Sequence, residues 1–136
     1  MEIRPLSPDF AVSPQISVDD VAAIAADGYT HVICNRPAFE SAPEDSPEAI
    51  KAAVEAAGLG WSDNPLAHGQ LTMEHLEAQK VPGKVLAYCA SGTRSSVIWA
   101  LSQAGQMETD AILGALEKAG YPTAGLRDQI EMLAQR

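Results

Sequence analysis

Four residues, Ala90-Ser91-Gly92-Thr93, separate Cys89 from Arg94, and Ser95 follows directly. The apolar run Val85-Leu86-Ala87-Tyr88 leads in, and Val97-Ile98-Trp99-Ala100-Leu101 leads out. That order predicts a strand, a tight loop and a helix. A loop of small residues running into a helix presents backbone N–H groups that have no partner within the helix. The helix dipole adds positive potential, and Arg94 adds a planar fork of donors. Such a place suits an anion. The same field favours a thiolate, which makes Cys89 a nucleophile. Gly92 permits a positive φ or a close backbone approach. Ser95 is placed to donate to Cys89 or to help it leave, and its ordinary alternative is a helix cap.

Further chemistry-bearing residues lie just past other predicted strands. Arg36 follows a strand ending at Cys34. In a parallel sheet it reaches the same edge as Cys89, to meet an anionic substrate or to pair with a nearby carboxylate. Asp63 and His68 are candidate proton donors for a leaving group, on a loop where no motif fixes either. Cys34 is a candidate redox partner if its strand neighbours that of Cys89, and otherwise a small core residue. His31 in a strand and His75 on a helix read as structural. The 3 histidines show no metal-ligand spacing, so neither a metal nor another cofactor is expected.

The elements that must position these residues alternate. Ala11-Val12-Ser13 reads as a short strand, and Ser17 with Asp20 starts a helix that Gly28 stops. Tyr29 to Cys34 reads as a buried strand. Residues 38–46, acidic and rich in Pro and Ser, read as a mobile loop. A helix follows from Ser46-Pro47 to Gly58, then a short strand within Leu59 to Leu66. A helix capped by Thr72, the strand 84–88, and helices ending near Gly105, Ala119 and Leu133 complete the chain. Helix-length crossovers between strands imply a mostly parallel sheet of about four to five strands covered on both faces. The reactive loop then lies at a strand's carboxyl end, where open α/β sheets place their sites.

The length of 136 residues suits one domain over 1–136. A net charge of −9 with only 9 scattered Lys and Arg argues against nucleic acid, because no basic stripe neutralises phosphates. No apolar run suits a membrane, and Met1-Glu2-Ile3-Arg4-Pro5 lacks a signal region, so a cytoplasmic protein is expected. In that compartment both cysteines stay mostly as thiols.

Gly28-Tyr29-Thr30-His31-Val32-Ile33-Cys34-Asn35 resembles the second strand of dual-specificity protein phosphatases, and Val85 to Ser95 resembles their strand, anion loop and helix. From Val12-Ser13-Pro14-Gln15 through Cys34-Asn35-Arg36-Pro37 to Tyr88-Cys89-Ala90-Ser91-Gly92-Thr93-Arg94-Ser95, the chain more closely resembles the phosphatase-like domain of the beta-lactamase hydrolase-like proteins. These are small single-domain bacterial proteins, also found fused to persulfide-metabolising hydrolase domains. The resemblance implies a protein-tyrosine-phosphatase-like fold of the phosphotyrosine phosphatase II type, with Cys89 as nucleophile and Arg94 as anion clamp. Tyrosine and dual-specificity phosphatases, however, place five residues between Cys and Arg. The shorter spacing here is similar to that of rhodaneses, whose loop cradles a cysteine persulfide.

Loop size matters because the equatorial oxygens of a phosphoryl group need several inward N–H donors. A shorter loop loses a donor and narrows, which suits one extra sulfur atom on Cys89. Sulfur transfer is therefore the leading expectation, from a sulfane-sulfur donor through a Cys89 persulfide to a thiol acceptor. The alternative is a phosphatase that forms a phosphocysteine from phosphotyrosine or a small aryl phosphate. A third reading is a non-catalytic module that senses small anions or redox state. A partner protein that presents the substrate fits any of these, and the sequence sets no oligomeric state.

Overall fold

The structure, a computed structural model, describes residues 2–67 and 69–135. Its strands are β1 (Arg4–Ser7), β2 (Phe10–Ser13), β3 (His31–Cys34), β4 (Gly60–Asp63) and β5 (Val85–Tyr88), in the spatial order β1-β2-β5-β3-β4. β2, β5, β3 and β4 run parallel, and β1 lies antiparallel on β2 at the edge. The parallel part matches the expected sheet. The edge strand β1 was not foreseen. Pro5 within it removes a ladder donor and reads as coil, and an edge is where a sheet tolerates that loss.

β5 lies near the middle of the sheet and is buried along its whole length. Burial on both faces explains its unbroken apolar run. Val85 and Ala87 point to one face, and Leu86 and Tyr88 to the other. Helices α1 (Val21–Ala26) and α2 (Pro47–Ala56) pack on the Leu86 face. Helices α3 (Met73–Ala78), α4 (Thr93–Ser102), α5 (Thr109–Ala119) and α6 (Leu126–Ala134) gather on the Val85 face. α4 is covered nearly all round, with Ser95, Ile98, Trp99, Ala100 and Leu101 buried. Its hydroxyls are absorbed locally: Ser96 Oγ donates to the Thr93 carbonyl at 2.7 Å and Ser102 Oγ to that of Trp99 at 2.6 Å. Trp99 stacks obliquely on Phe10, with ring centroids 6.3 Å apart. This packing fixes the helix that carries Arg94. Among the described residues, no helix is long and apolar enough to cross a membrane.

A buried amide triangle locks the turn after β4 to the end of β3. Asn35 Nδ2 donates to the Asn64 carbonyl at 2.9 Å and to Gln79 Oε1 at 3.0 Å. Gln79 Nε2 returns a bond to Asn35 Oδ1 at 2.9 Å, and Asn64 Nδ2 donates to Gln79 Oε1 at 2.8 Å. Leu66 N–H donates to the Asn35 carbonyl at 2.9 Å. The His75 ring completes the clamp. Its Nδ1 accepts the Thr72 N–H at 3.1 Å, so Nε2 carries the proton that reaches the Pro65 carbonyl at 2.8 Å. His75 is thus structural, as read from the sequence. Replacing Gln79 by Leu leaves Asn35 Oδ1 without its donor and one N–H of each asparagine amide without its acceptor. We expect Gln79→Leu to cost about 3 kcal/mol in urea unfolding, and an unchanged midpoint would argue against the triangle.

Candidate active site

The loop after β5 is built around Gly92, the N-cap of α4, at φ 93°. Only glycine takes that conformation without strain. The Gly92 N–H donates to Cys89 Sγ at 3.0 Å, so the loop already aims one amide at the sulfur. The helical ladder begins with Ser96 N–H on the Gly92 carbonyl at 2.9 Å. The N–H groups of Thr93, Arg94 and Ser95 precede it, as at any helix start. Ser91 Oγ accepts the Thr93 N–H at 3.3 Å and donates to Thr93 Oγ1 at 3.0 Å. The Ala90 carbonyl accepts from Gln15 N–H at 3.2 Å, which ties the loop to the segment after β2. Ser95 stands inside the helix, so its alternative role as the cap falls to Gly92. Its hydroxyl is buried and has no hydrogen-bond partner among the described residues.

Arg94 is held on one edge. Its Nη1 donates to Glu40 Oε2 at 3.0 Å and to the Leu66 carbonyl at 2.8 Å, and Nη2 donates to Glu40 Oε1 at 2.7 Å. A guanidinium has five N–H donors. These bonds leave Nε–H and the second Nη2–H, which share one edge and form a fork for an oxyanion. The hydrogen bonds to Glu40 push the Arg94 pKa above its usual range, burial opposes them, and Cys89 adds attraction.

Glu40 is a partner of Arg94 that the sequence reading missed. The acidic stretch 38–46, expected as a mobile loop, contains two short 3-10 turns at Ala38–Glu40 and Pro43–Asp45. The first delivers the Glu40 carboxylate to Arg94. The available signal was indirect: a half-buried arginine needs a counter-charge, and this stretch holds several.

Arg36 does reach the mouth of the site. Its Nη1 donates to Gln15 Oε1 at 3.0 Å and its Nε lies 3.6 Å from Glu40 Oε1. Glu40 therefore bridges both arginines. Strands β3 and β5 are neighbours, the condition set for a Cys34–Cys89 pair, but Cys34 stands opposite Tyr88, and both cysteines are free. The Cys34 thiol donates to the Arg36 carbonyl at 3.3 Å, and burial chiefly pushes its pKa up. Asp63 is exposed and stands opposite Cys34. That places it two strands from β5, about 10 Å at ordinary strand spacing. His68 lies outside the described residues. His31 binds Ser62 Oγ through Nε2 at 2.6 Å, away from the loop. A cavity of about 360 Å³ opens beside the loop, walled by Leu66, Ala67, Leu71, Ser91, Arg94 and Val97.

The fold is that of the protein-tyrosine-phosphatase-like class. PTPMT1 superposes with a TM-score of 0.76 at 10% identity, over 98% of this chain and 94% of its own. The active form of Tk-PTP does so with 0.70 at 17%, over 98% and 97%. Nearer in sequence is a candidate phosphatase from Neisseria meningitidis Z2491, 29% identical with a TM-score of 0.82, covering 98% of this chain and 99% of that one. The chain belongs to the phosphatase-like domain family of the beta-lactamase hydrolase-like proteins, which matches residues 2–106. Beta-lactamase hydrolase-like proteins of Xylella fastidiosa strains Temecula1 and 9a5c are each 30% identical over 119 residues, 82% of this chain. The chain spans 28% of the length of these curated relatives.

Two outcomes are expected from this geometry. Glu40→Gln should weaken tungstate binding about tenfold, because the arginine fork loses its fixed aim. Tighter binding instead would mean that Glu40 blocks the anion. Cys34, kept protonated by its surroundings and with its thiol on the Arg36 carbonyl, should react with iodoacetamide at about pH 8 more slowly than Cys89 in the native protein and lose that protection once the chain is unfolded. Peptide mass mapping reads the difference.

Proposed function

We propose that this domain hydrolyses phosphate monoesters through Cys89, with aryl phosphates such as phosphotyrosine as the substrate class. The observation that carries this reading is the Arg94 fork, fixed by Glu40 and Leu66 so that one donor pair is left for an oxyanion near Cys89. The phosphatase fold class and the Neisseria relative support it. Cys89 sulfur attacks phosphorus in line, forming an S–P bond as the ester P–O bond breaks. Loop amides and Arg94 take the charge on the equatorial oxygens. A phenolate leaves without strong acid help and takes its proton from water, which suits the distance of Asp63 from β5. Water then attacks the phosphocysteine. Its oxygen bonds to phosphorus, the S–P bond breaks, and one of its protons passes to the phosphate formed. Ser95 donates its hydroxyl proton in a hydrogen bond to the departing sulfur. Arg36 serves a second anionic group on the substrate, and the cavity beside the loop takes the aryl ring. A cytoplasmic setting keeps Cys89 reduced for this chemistry.

The expectation of sulfur transfer rests on loop length and on the lack of a fixed proton donor, which a departing thiolate does not need. It stays as the second reading because the four-residue spacing favours it. In that reaction Cys89 takes the outer sulfur of a persulfide donor, releases the donor thiolate, and yields the sulfur to an acceptor thiol. An anion or redox sensor without turnover is the third outcome.

Hydrolysis of p-nitrophenyl phosphate should vanish in Cys89→Ser. It should fall about 10²- to 10³-fold in kcat for Arg94→Lys, which has no fork. Acid quench of the wild type should trap a phosphate adduct on Cys89. No turnover, together with a single sulfur gained from glutathione persulfide and lost to a thiol, would replace this reading with sulfur transfer.

A further inference from the structure

Tyr121 follows Gly120, the C-cap of α5, and precedes α6. Its sequence neighbours gave no hint of a part in the site. In the structure it is 6% exposed, and its hydroxyl lies against Gly92, where any Cβ would collide with it. Gly92 is the residue whose N–H holds the Cys89 sulfur. The Tyr121 hydroxyl oxygen is fully buried, and by ordinary geometry its proton meets no acceptor among the described residues. Arg4 lies over its ring, the guanidinium carbon 5.2 Å from the ring centroid. Arg4 has only protons to offer, so the phenol proton finds no acceptor there.

A buried hydroxyl donor without an acceptor is costly, and a phenylalanine would fill the same space without that cost. The oxygen therefore needs a purpose that packing does not supply. Burial, the largest influence, pushes the Tyr121 pKa up, and charge on Cys89 pushes the same way, while Arg4 opposes both through its charge and as a donor to the phenol oxygen, which leaves the phenol proton itself without an acceptor. The group stays a neutral phenol and keeps its proton to donate.

We propose that Tyr121 is a further anion-binding residue of this site, its hydroxyl proton reserved for the charge that Cys89, Arg94 and the loop amides gather. The proposal rests on Cys89 and its loop as the anion site, whichever group is transferred. Tyr121 gives the loop a donor from a different helix connection. That makes up, from outside, for an amide that a four-residue loop lacks.

The test compares wild type with Tyr121→Phe, which removes one oxygen. The probe is inorganic phosphate, read by the concentration that protects Cys89 from iodoacetamide, beside the melting temperature and p-nitrophenyl phosphate hydrolysis. The expected result is about tenfold more phosphate for half protection, the usual scale of a lost hydrogen bond to a charge. The melting temperature should stay level or rise, since a stranded donor is gone. A purely structural tyrosine would lower the melting temperature and leave protection unchanged, and unchanged protection overturns the proposal. Weakened protection in a protein without hydrolysis would remove the phosphatase reading and keep Tyr121. Hydrolysis with unchanged protection would do the reverse. Failure of phosphate to protect wild-type Cys89 would overturn both.

Discussion

A guanidinium in the first turn of a helix sits in the wrong field. The helix N-terminus is already positive, and the Arg94 side chain is only 12% exposed. The Glu40 carboxylate answers that problem with two hydrogen bonds, and much of the site follows from it. Glu40 is also shared with Arg36, Arg36 is bound to the Gln15 side chain, and Gln15 N–H holds the Ala90 carbonyl of the loop. The chain of contacts closes on itself. It joins the segments after β2, β3 and β5, which are the carboxyl ends of neighbouring parallel strands. Charge compensation for one arginine thus aligns three loops around one cysteine.

The second support for Arg94 comes from the opposite side. The Leu66 carbonyl accepts from Nη1, and Leu66 is set in place by Asn35, which is set by Gln79 and Asn64. The buried amide triangle therefore reaches the site: it fixes an acceptor for the Arg94 guanidinium. Beneath both supports lies α4, buried on nearly every side. A helix so enclosed cannot tilt without breaking core packing. The loop that ends on it inherits that rigidity, and a preorganised loop is what stabilises charge in a transition state.

The strand-loop-helix at 85–102, the positive φ of Gly92, the parallel sheet and the family were all legible in the chain. Each is written in local pattern: an unbroken apolar run, a glycine among small residues, an ordered set of motifs. Arg36 was also placed at the right edge, because parallel strands carry their C-terminal residues to one side. β1 was missed because prolines mask an edge strand. The acidic stretch was misjudged because composition describes a segment's preference for water, not a single carboxylate's partner. Loop length is likewise a local signal. The count between Cys89 and Arg94 describes one loop, while the donors around that loop come from several elements.

What the sequence alone determined was the strand, loop and helix that carry Cys89 and Arg94 and the class of sheet, since these depend on residues adjacent in the chain and on period-two or helical patterning. Tertiary structure decided the partners. Glu40 meets Arg94 across 54 positions, and Asn35 meets Gln79 across 44. Tyr121 reaches Gly92 from a separate helix connection. Contacts of that range leave no periodic trace in the chain, because each is a single side chain meeting another only after the sheet has brought their backbones together.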